Sequence, residues 1–180
     1  MKTKKAPGGS SSPIVKAAWR RQATGREVNL VLMKPYPDHL TPLQHTAQNR
    51  CFGCGSSNPH GLQLKFLMAD DGTIVCEAVV SADFCGHPGC LHGGIIATLL
   101  DEAMSKAVRA SGVASMTRSL EVEYLKIVPS AATIRIVGRV VRVEGRKRWA
   151  EAHIQDAEGT ALAHAKGLFV EVRPRETPSS

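Results

Sequence analysis

The sequence predicts an α+β domain in which one antiparallel β-sheet wraps around a single long central α-helix. Two observations carry this expectation. Strand-like runs bracket one helical segment, two before it and four after it, and the later runs are joined by short links. The helical segment is apolar on most of its circumference, so it has to be covered from several sides. A length of 180 residues with 43% hydrophobic content suits one globular domain and an appended arm.

Residues 1–50 read as a basic, partly disordered arm. The net charge of +7 would suggest a nucleic-acid partner, but its location argues otherwise. Seven of the 23 basic residues (Lys2, Lys4, Lys5, Lys16, Arg20, Arg21 and Arg26) precede the first acid, and the remaining 16 balance the 16 acids. The folded body is therefore neutral. "GGSSSP" reads as linker and "IVKAAWRRQ" as a short helix, while "KPYPDHLTP" is punctuated by prolines and expected to be largely irregular. This segment is expected to pack on the domain without carrying the chemistry. An organelle-targeting segment is the alternative for the Arg- and Ser-bearing start, which has no secretory apolar core. No apolar run reaches membrane-spanning length, so no membrane partner is expected.

The domain is expected over residues 51–173, with 174–180 as a flexible tail. "GLQLKFLM" and "TIVCEAVV" alternate around "ADDG", the pattern of a β-hairpin. The long helix starts near Gly93 and runs to about Arg109. "TRSLEVEYLKIV", "ATIRIVGRVVRV", "RWAEAHIQ" and "ALAHAKGLFVEV" then follow, separated by "PSA", "EGRK" and "DAEG". Such short links imply an antiparallel meander.

Along the helix, Ile95, Ile96, Leu99, Leu100, Ala103 and Met104 cover far more than one stripe. Glu102, Lys106 and Arg109 share one edge, expected to be a solvated strip with an i,i+4 ion pair. Gly94, Thr98, Asp101 and Ser105 form a second line that is small and polar, with one acid, and suited to face a cleft.

"LHGG" opens this helix. Gly93 and Gly94 leave backbone N–H groups without a Cβ to block approach, and the helix dipole adds partial positive charge there. That is a site able to polarise a carbonyl oxygen. Asp101, about two turns on, can serve as general base for water or as nucleophile, provided the substrate lies along the helix.

"CFGCGSSNPHGLQLKF", "FCGHPGCLHGGIIATLLDEA" and "TRSLEVEYLKIVPSA", in this order, resemble the hotdog-fold acyl-CoA thioesterases. The subgroup that fits contains the phenylacetate-pathway thioesterases and the mammalian thioesterase-superfamily proteins. The resemblance covers residues 51 to about 172 and implies hydrolysis of an acyl-CoA to a free acid and coenzyme A. It implies that the Gly93 N–H, with Gly94 beside it, binds the thioester oxygen. Asp101, nine residues after His92, inherits the role of base or nucleophile. Thr117, sixteen residues past the acid, helps hold the water. No metal and no cofactor beyond the substrate's coenzyme A are implied, and a homodimer or homotetramer with sites shared between chains is expected.

Two features sit less easily. Thr117 has the parity of Ser119, Glu121 and Glu123 rather than of Leu120, Val122 and Tyr124, so it needs a bulge or a place facing a partner subunit. Some relatives carry Asn or Gln six residues before the HGG histidine, where this chain has Gly86 followed by His87. Backbone donors are taken to suffice without His87, and His92 to shape its loop rather than carry protons. A hotdog domain that binds acyl-CoA or acyl-carrier ligands without hydrolysis is the competing reading. A hydratase on this fold is disfavoured by the absence of an Asp-x-Asn-x-x-His signature.

Five cysteines (Cys51, Cys54, Cys76, Cys85 and Cys90) with no export signal suggest reduced thiols and a cytoplasmic location. "CFGC" invites a zinc reading. Only one CxxC is present, however, and Cys85, His87, Cys90 and His92 sit in the loop the thioester site needs. The stretch is read instead as an ordered lead-in, with Asn58-Pro59 and Gly61 setting a turn. Arg146, Lys147 and Arg148 in "EGRKRW" mark a hairpin tip, either a solvated turn or a site for the phosphates of coenzyme A.

Overall fold

One antiparallel sheet curls around one helix, as the sequence pattern predicts, with seven strands rather than the six expected. The computed structural model describes residues 39–44 and 46–172. The expectations for "GGSSSP", for the short helix in "IVKAAWRRQ" and for the tail 174–180 lie outside them. In chain order the elements are β1 (Leu40–Pro42), β2 (Leu67–Ala69), β3 (Ile74–Val79), β4 (Cys85–His87), β5 (Cys90–Leu91), α1 (Gly93–Ala110), β6 (Ser115–Tyr124), β7 (Thr133–Glu144), β8 (Lys147–Gln155) and β9 (Ala161–Glu171). The main sheet runs β1-β2-β3-β7-β8-β9-β6, and β4-β5 form a separate small hairpin.

The side chains facing α1 explain the wrap. Ile134 and Ile136 of β7, Ala150, Ala152 and Ile154 of β8, and Ala163, Ala165 and Phe169 of β9 are buried at alternate positions. Against them lie Leu99, Leu100, Ala103, Met104 and Val108 of α1, all with zero exposure. The alanines keep the helix close, and Gly138 of β7 keeps it closer. A Cβ at Gly138 would stand 2.7 Å from the backbone of Ala103.

The order of the sheet corrects the expected meander. β7, β8 and β9 are consecutive neighbours, but β6 pairs with β9 at the far edge and does not touch β7 in register. The "PSA" link is therefore a crossing loop, not a hairpin turn. Residues 125–132 carry the chain past the start of α1, held by Leu91 N–H to Val128 O at 2.9 Å and Ser130 N–H to Gly89 O at 3.0 Å. Ala131 bonds Val80 O at 2.8 Å with a left-handed φ of 55°.

The first hairpin is shorter than expected. Of "GLQLKFLM" only the end joins β2, although Leu64 and Phe66 still bury their side chains. The "ADDG" turn holds, with Ala69 N–H to Thr73 O at 2.9 Å and Gly72 at φ +80°. Leu40–Pro42, within the proline-punctuated segment, adds an edge strand beside β2.

The solvated strip is the other correction. Glu102 and Lys106 do form an i,i+4 ion pair, 3.7 Å apart, but they are only 9% and 8% exposed. The turn at residues 51–54 covers them, and Gly53 lies so close to Glu102 that any Cβ there would overlap its side chain. "CFGCGSSNPHGL" is an ordered lead-in as expected: Leu62 N–H bonds Phe52 O at 2.7 Å and Gly61 N–H bonds Asn58 O at 3.1 Å. No helix among the described residues is long and apolar enough to cross a membrane.

Candidate active site

The start of α1 is built by His92. Its backbone is extended (φ −63°, ψ 139°), and its ring Nδ1 accepts the Gly94 N–H at 3.0 Å, so it is the helix N-cap. Its carbonyl accepts from Ile95 at 2.9 Å and Ile96 at 3.0 Å. That bond holds the loop against the first turn of the helix. Gly94 is therefore a correction. Its N–H is occupied, and the Gly93 N–H is the first-turn donor left without a partner among the described residues. Gly86 packs under the His92 ring, where a Cβ would lie 3.3 Å from the His92 Cα. A side chain at position 86 would press against His92, while His87 remains exposed.

Tyr124, which sequence reasoning did not single out, completes the helix start. Its hydroxyl donates to Gly93 O at 3.0 Å, tying the end of β6 to the first turn of α1. The only sequence signal was an aromatic at the end of a strand, 31 residues downstream of its partner.

Asp101 lies half-buried on the small polar line, and Thr117 of β6 donates its hydroxyl to Asp101 Oδ1 at 2.9 Å. The parity problem of Thr117 is resolved by a bulge. Thr117 pairs with Phe169 and Ser119 with Leu168, so Arg118 is the extra residue. Burial holds the Asp101 carboxyl above the usual carboxylate range, the Thr117 bond opposes this, and the charge of Glu102 adds to it. Thr98, on the same line, spends its hydroxyl on Gly94 O at 2.9 Å. The line Gly94–Thr98–Asp101–Ser105 is partly exposed along its length.

The two ends of the candidate site do not meet within one chain. Eight residues separate Gly93 from Asp101, a rise of about 12 Å along the helix. A carbonyl bound at the Gly93 N–H therefore lies about 12 Å along the axis from Asp101 of the same chain. The edge position of β6 leaves Asp101 and Thr117 at an open border of the sheet.

At the β7–β8 tip, Arg148 is 3.5 Å from Glu171 and bonds Gly145 O at 2.7 Å, while Arg146 bonds Glu171 O at 2.7 Å. Lys147 is exposed. Arg148 and Thr117 both pair with Phe169, so they sit two strands apart in one row, about 10 Å. A groove of about 530 Å³ lined by Trp149, Glu121 and Lys166 lies on the sheet's other face and does not include Asp101. Among the described residues, the potential metal-ligand atoms that come together are those of Cys51, Cys54 and Glu102, not the Cys and His of the HGG loop.

Comparison with known proteins agrees with this architecture. Residues 88–163, from the HGG loop into β9, match the family described as the Thioesterase superfamily. Acyl-coenzyme A thioesterase THEM4 of Bos taurus is 32% identical over 140 residues, 77% of this chain and 58% of its own length. The chain thus spans little more than half of that relative. The crystal structure of a thioesterase superfamily protein superposes with a TM-score of 0.66 at 28% identity, covering 68% of this chain and 61% of the other. A hypothetical thioesterase from Streptococcus pneumoniae TIGR4, solved with coenzyme A, shares the fold at 24% identity and a TM-score of 0.55, over 59% and 83% of the two chains.

Proposed function

From a chain that belongs to the thioesterase superfamily, we propose an enzyme that hydrolyses an acyl-coenzyme A thioester to the free acid and coenzyme A. The observation that carries this reading is the pairing of Thr117 with a half-buried Asp101, on a helix whose Gly93 N–H has no partner among the described residues. The thioester oxygen accepts from Gly93 N–H, where the helix dipole stabilises the charge that develops on it. Thr117 occupies Asp101 Oδ1, leaving Oδ2 to take a proton from the water that attacks the carbonyl carbon, or to attack that carbon itself and form an anhydride that water then opens to the free acid. A carboxylate raised by burial is the better base at neutral pH. The leaving thiolate takes up a proton and departs as coenzyme A. Lys147 and the arginines beside it are the cations offered to the phosphates.

The chain acts as a homodimer or a homotetramer. The rise of about 12 Å between Gly93 and Asp101 is spanned if Gly93 of one copy faces Asp101 of another. The ten-residue edge strand β6, bearing Thr117 and an exposed Met116, is the border available for that pairing. Five free cysteines support a reducing, cytoplasmic setting.

Thiol release from a panel of acyl-CoAs tests the reading. Wild type hydrolyses at least one of them, and Asp101→Asn binds it without turnover. Binding by wild type with no hydrolysis of any member would make the domain a ligand-holding module instead.

A further inference from the structure

The turn that covers α1 brings together more chemistry than a cover needs. Cys51 Sγ stands 3.6 and 3.7 Å from the two carboxylate oxygens of Glu102. The two sulfurs and a carboxylate oxygen all lie within 4.8 Å of one another. Cys54 is 3% exposed and Glu102 9%, while Cys51 opens to solvent. Asn49 grips both ends of the turn: its Oδ1 accepts the Cys51 N–H at 3.0 Å, and its Nδ2 donates to Cys54 Sγ at 3.4 Å. Gly55 closes the turn through its N–H to Cys51 O at 2.9 Å, where a Cβ would meet three backbone atoms at 2.6 Å.

We propose that Cys51, Cys54 and Glu102 form a binding site for a thiophilic divalent cation of the zinc type, which fastens the residue 49–64 segment to the middle of α1. The donor set suits such an ion: two thiolates and one carboxylate from a tight CxxC turn and a helix, with water as the fourth ligand on the open side of Cys51. The charges balance. Binding displaces one proton from each thiol. Two thiolates and a carboxylate then face a divalent ion and the Lys106 ammonium, 3.7 Å from Glu102. The Asn49 amide on Cys54 Sγ is the kind of outer hydrogen bond that orients a thiolate ligand. The sequence lacks a second pair of cysteines, but the third ligand comes instead from a helix about fifty residues away. A redox disulfide fits less well, because the Glu102 carboxylate faces both sulfurs, as a third ligand would. The site is separate from the proposed thioester chemistry and does not depend on it.

The test uses the full wild-type chain, stripped of metal and titrated with Co²⁺, then Zn²⁺. The expected result is one equivalent of Co²⁺ with a thiolate-to-cobalt charge-transfer band in the near ultraviolet, which Zn²⁺ abolishes by displacement. Zn²⁺ should also protect Cys51 and Cys54, but not Cys85, from alkylation, with the modified residues identified by mass spectrometry. Cys51→Ser and Glu102→Gln should each weaken binding by about tenfold or more. Absence of the charge-transfer band in wild type would overturn the proposal. So would alkylation of Cys51 and Cys54 at the same rate with and without Zn²⁺, a readout that needs no variant to fold.

Discussion

A site divided between two chains makes an unusual arithmetic prediction. Gly93→Pro removes the one first-turn N–H left open for a carbonyl while keeping the helix, since His92 is extended and proline is favoured at the first helical position. Asp101→Asn removes the base or nucleophile. Each homo-oligomer should be inactive. If the rise of about 12 Å means that a carbonyl takes Gly93 from one copy and Asp101 from the other, a mixed dimer has one intact site and one doubly impaired site. Random pairing of equal amounts puts half of the chains in mixed dimers, so co-expression should restore about a quarter of wild-type activity. The assay is thiol release at saturating acyl-CoA, on mixed dimers purified through two different tags, which should reach about half of wild type per dimer. No recovery in the mixed dimers would mean that Gly93 and Asp101 work within one chain, and the geometric argument would fall.

Three further outcomes are expected. Thr117→Val removes a hydrogen bond to a carboxylate, worth about 1.5 kcal/mol at this exposed position, so kcat/KM should fall about tenfold, with Thr117→Ser restoring most of it. Equal rates for the three proteins would show that the hydroxyl has no role. His92→Ala loses the N-cap and should cost about 1 kcal/mol in urea unfolding, while His92→Asn should retain most of it. Burial first, then the charges of His164 and Arg139, push His153 down from its ordinary 6.5 to about 4. The folded state then binds fewer protons than the unfolded chain, so stability is intact above about pH 6.5 and is lost as pH falls towards 4. His153→Gln should remove up to about 3 kcal/mol of that slope, read from urea midpoints across the pH range.

The candidate chemistry was legible where it is local. "LHGG" and Asp101 lie on one helix, whose periodicity alone sets their spacing, and the strand runs after it alternate cleanly. What escaped depends on distant parts of the chain. The bulge at Arg118 turns Thr117 towards Asp101, yet nothing in "SMTRSLEVEY" marks which residue is extra. The "PSA" link has the look of a hairpin turn, and only the demand that the sheet close around α1 sends β6 to the far edge. Glu102 and Lys106 share a face by spacing, but spacing does not say what covers that face, and the cover is the turn at residues 51–54.

Asp101 keeps its place on the polar line while Glu102 lies under the 51–54 turn rather than in solvent, and the arrangement has a mechanical consequence. They point about 100° apart around the helix. One is anchored by Thr117 on the edge strand, the other by Cys51 of the 51–54 turn, with Lys106 beside it on the helix itself. Together these anchors oppose rotation of α1 about its axis, as Tyr124 on Gly93 O fixes its start. Glu102 should then govern stability rather than chemistry. Glu102→Gln leaves the Lys106 ammonium buried without its counter-charge, at a cost of about 3 kcal/mol, read as a fall in the urea midpoint. Below the unfolding range, kcat should stay within about threefold of wild type, a difference of under 1 kcal/mol in the barrier. A collapse of kcat in the folded Glu102→Gln protein, with turnover retained in Asp101→Asn, would reverse the assignment of the two acids.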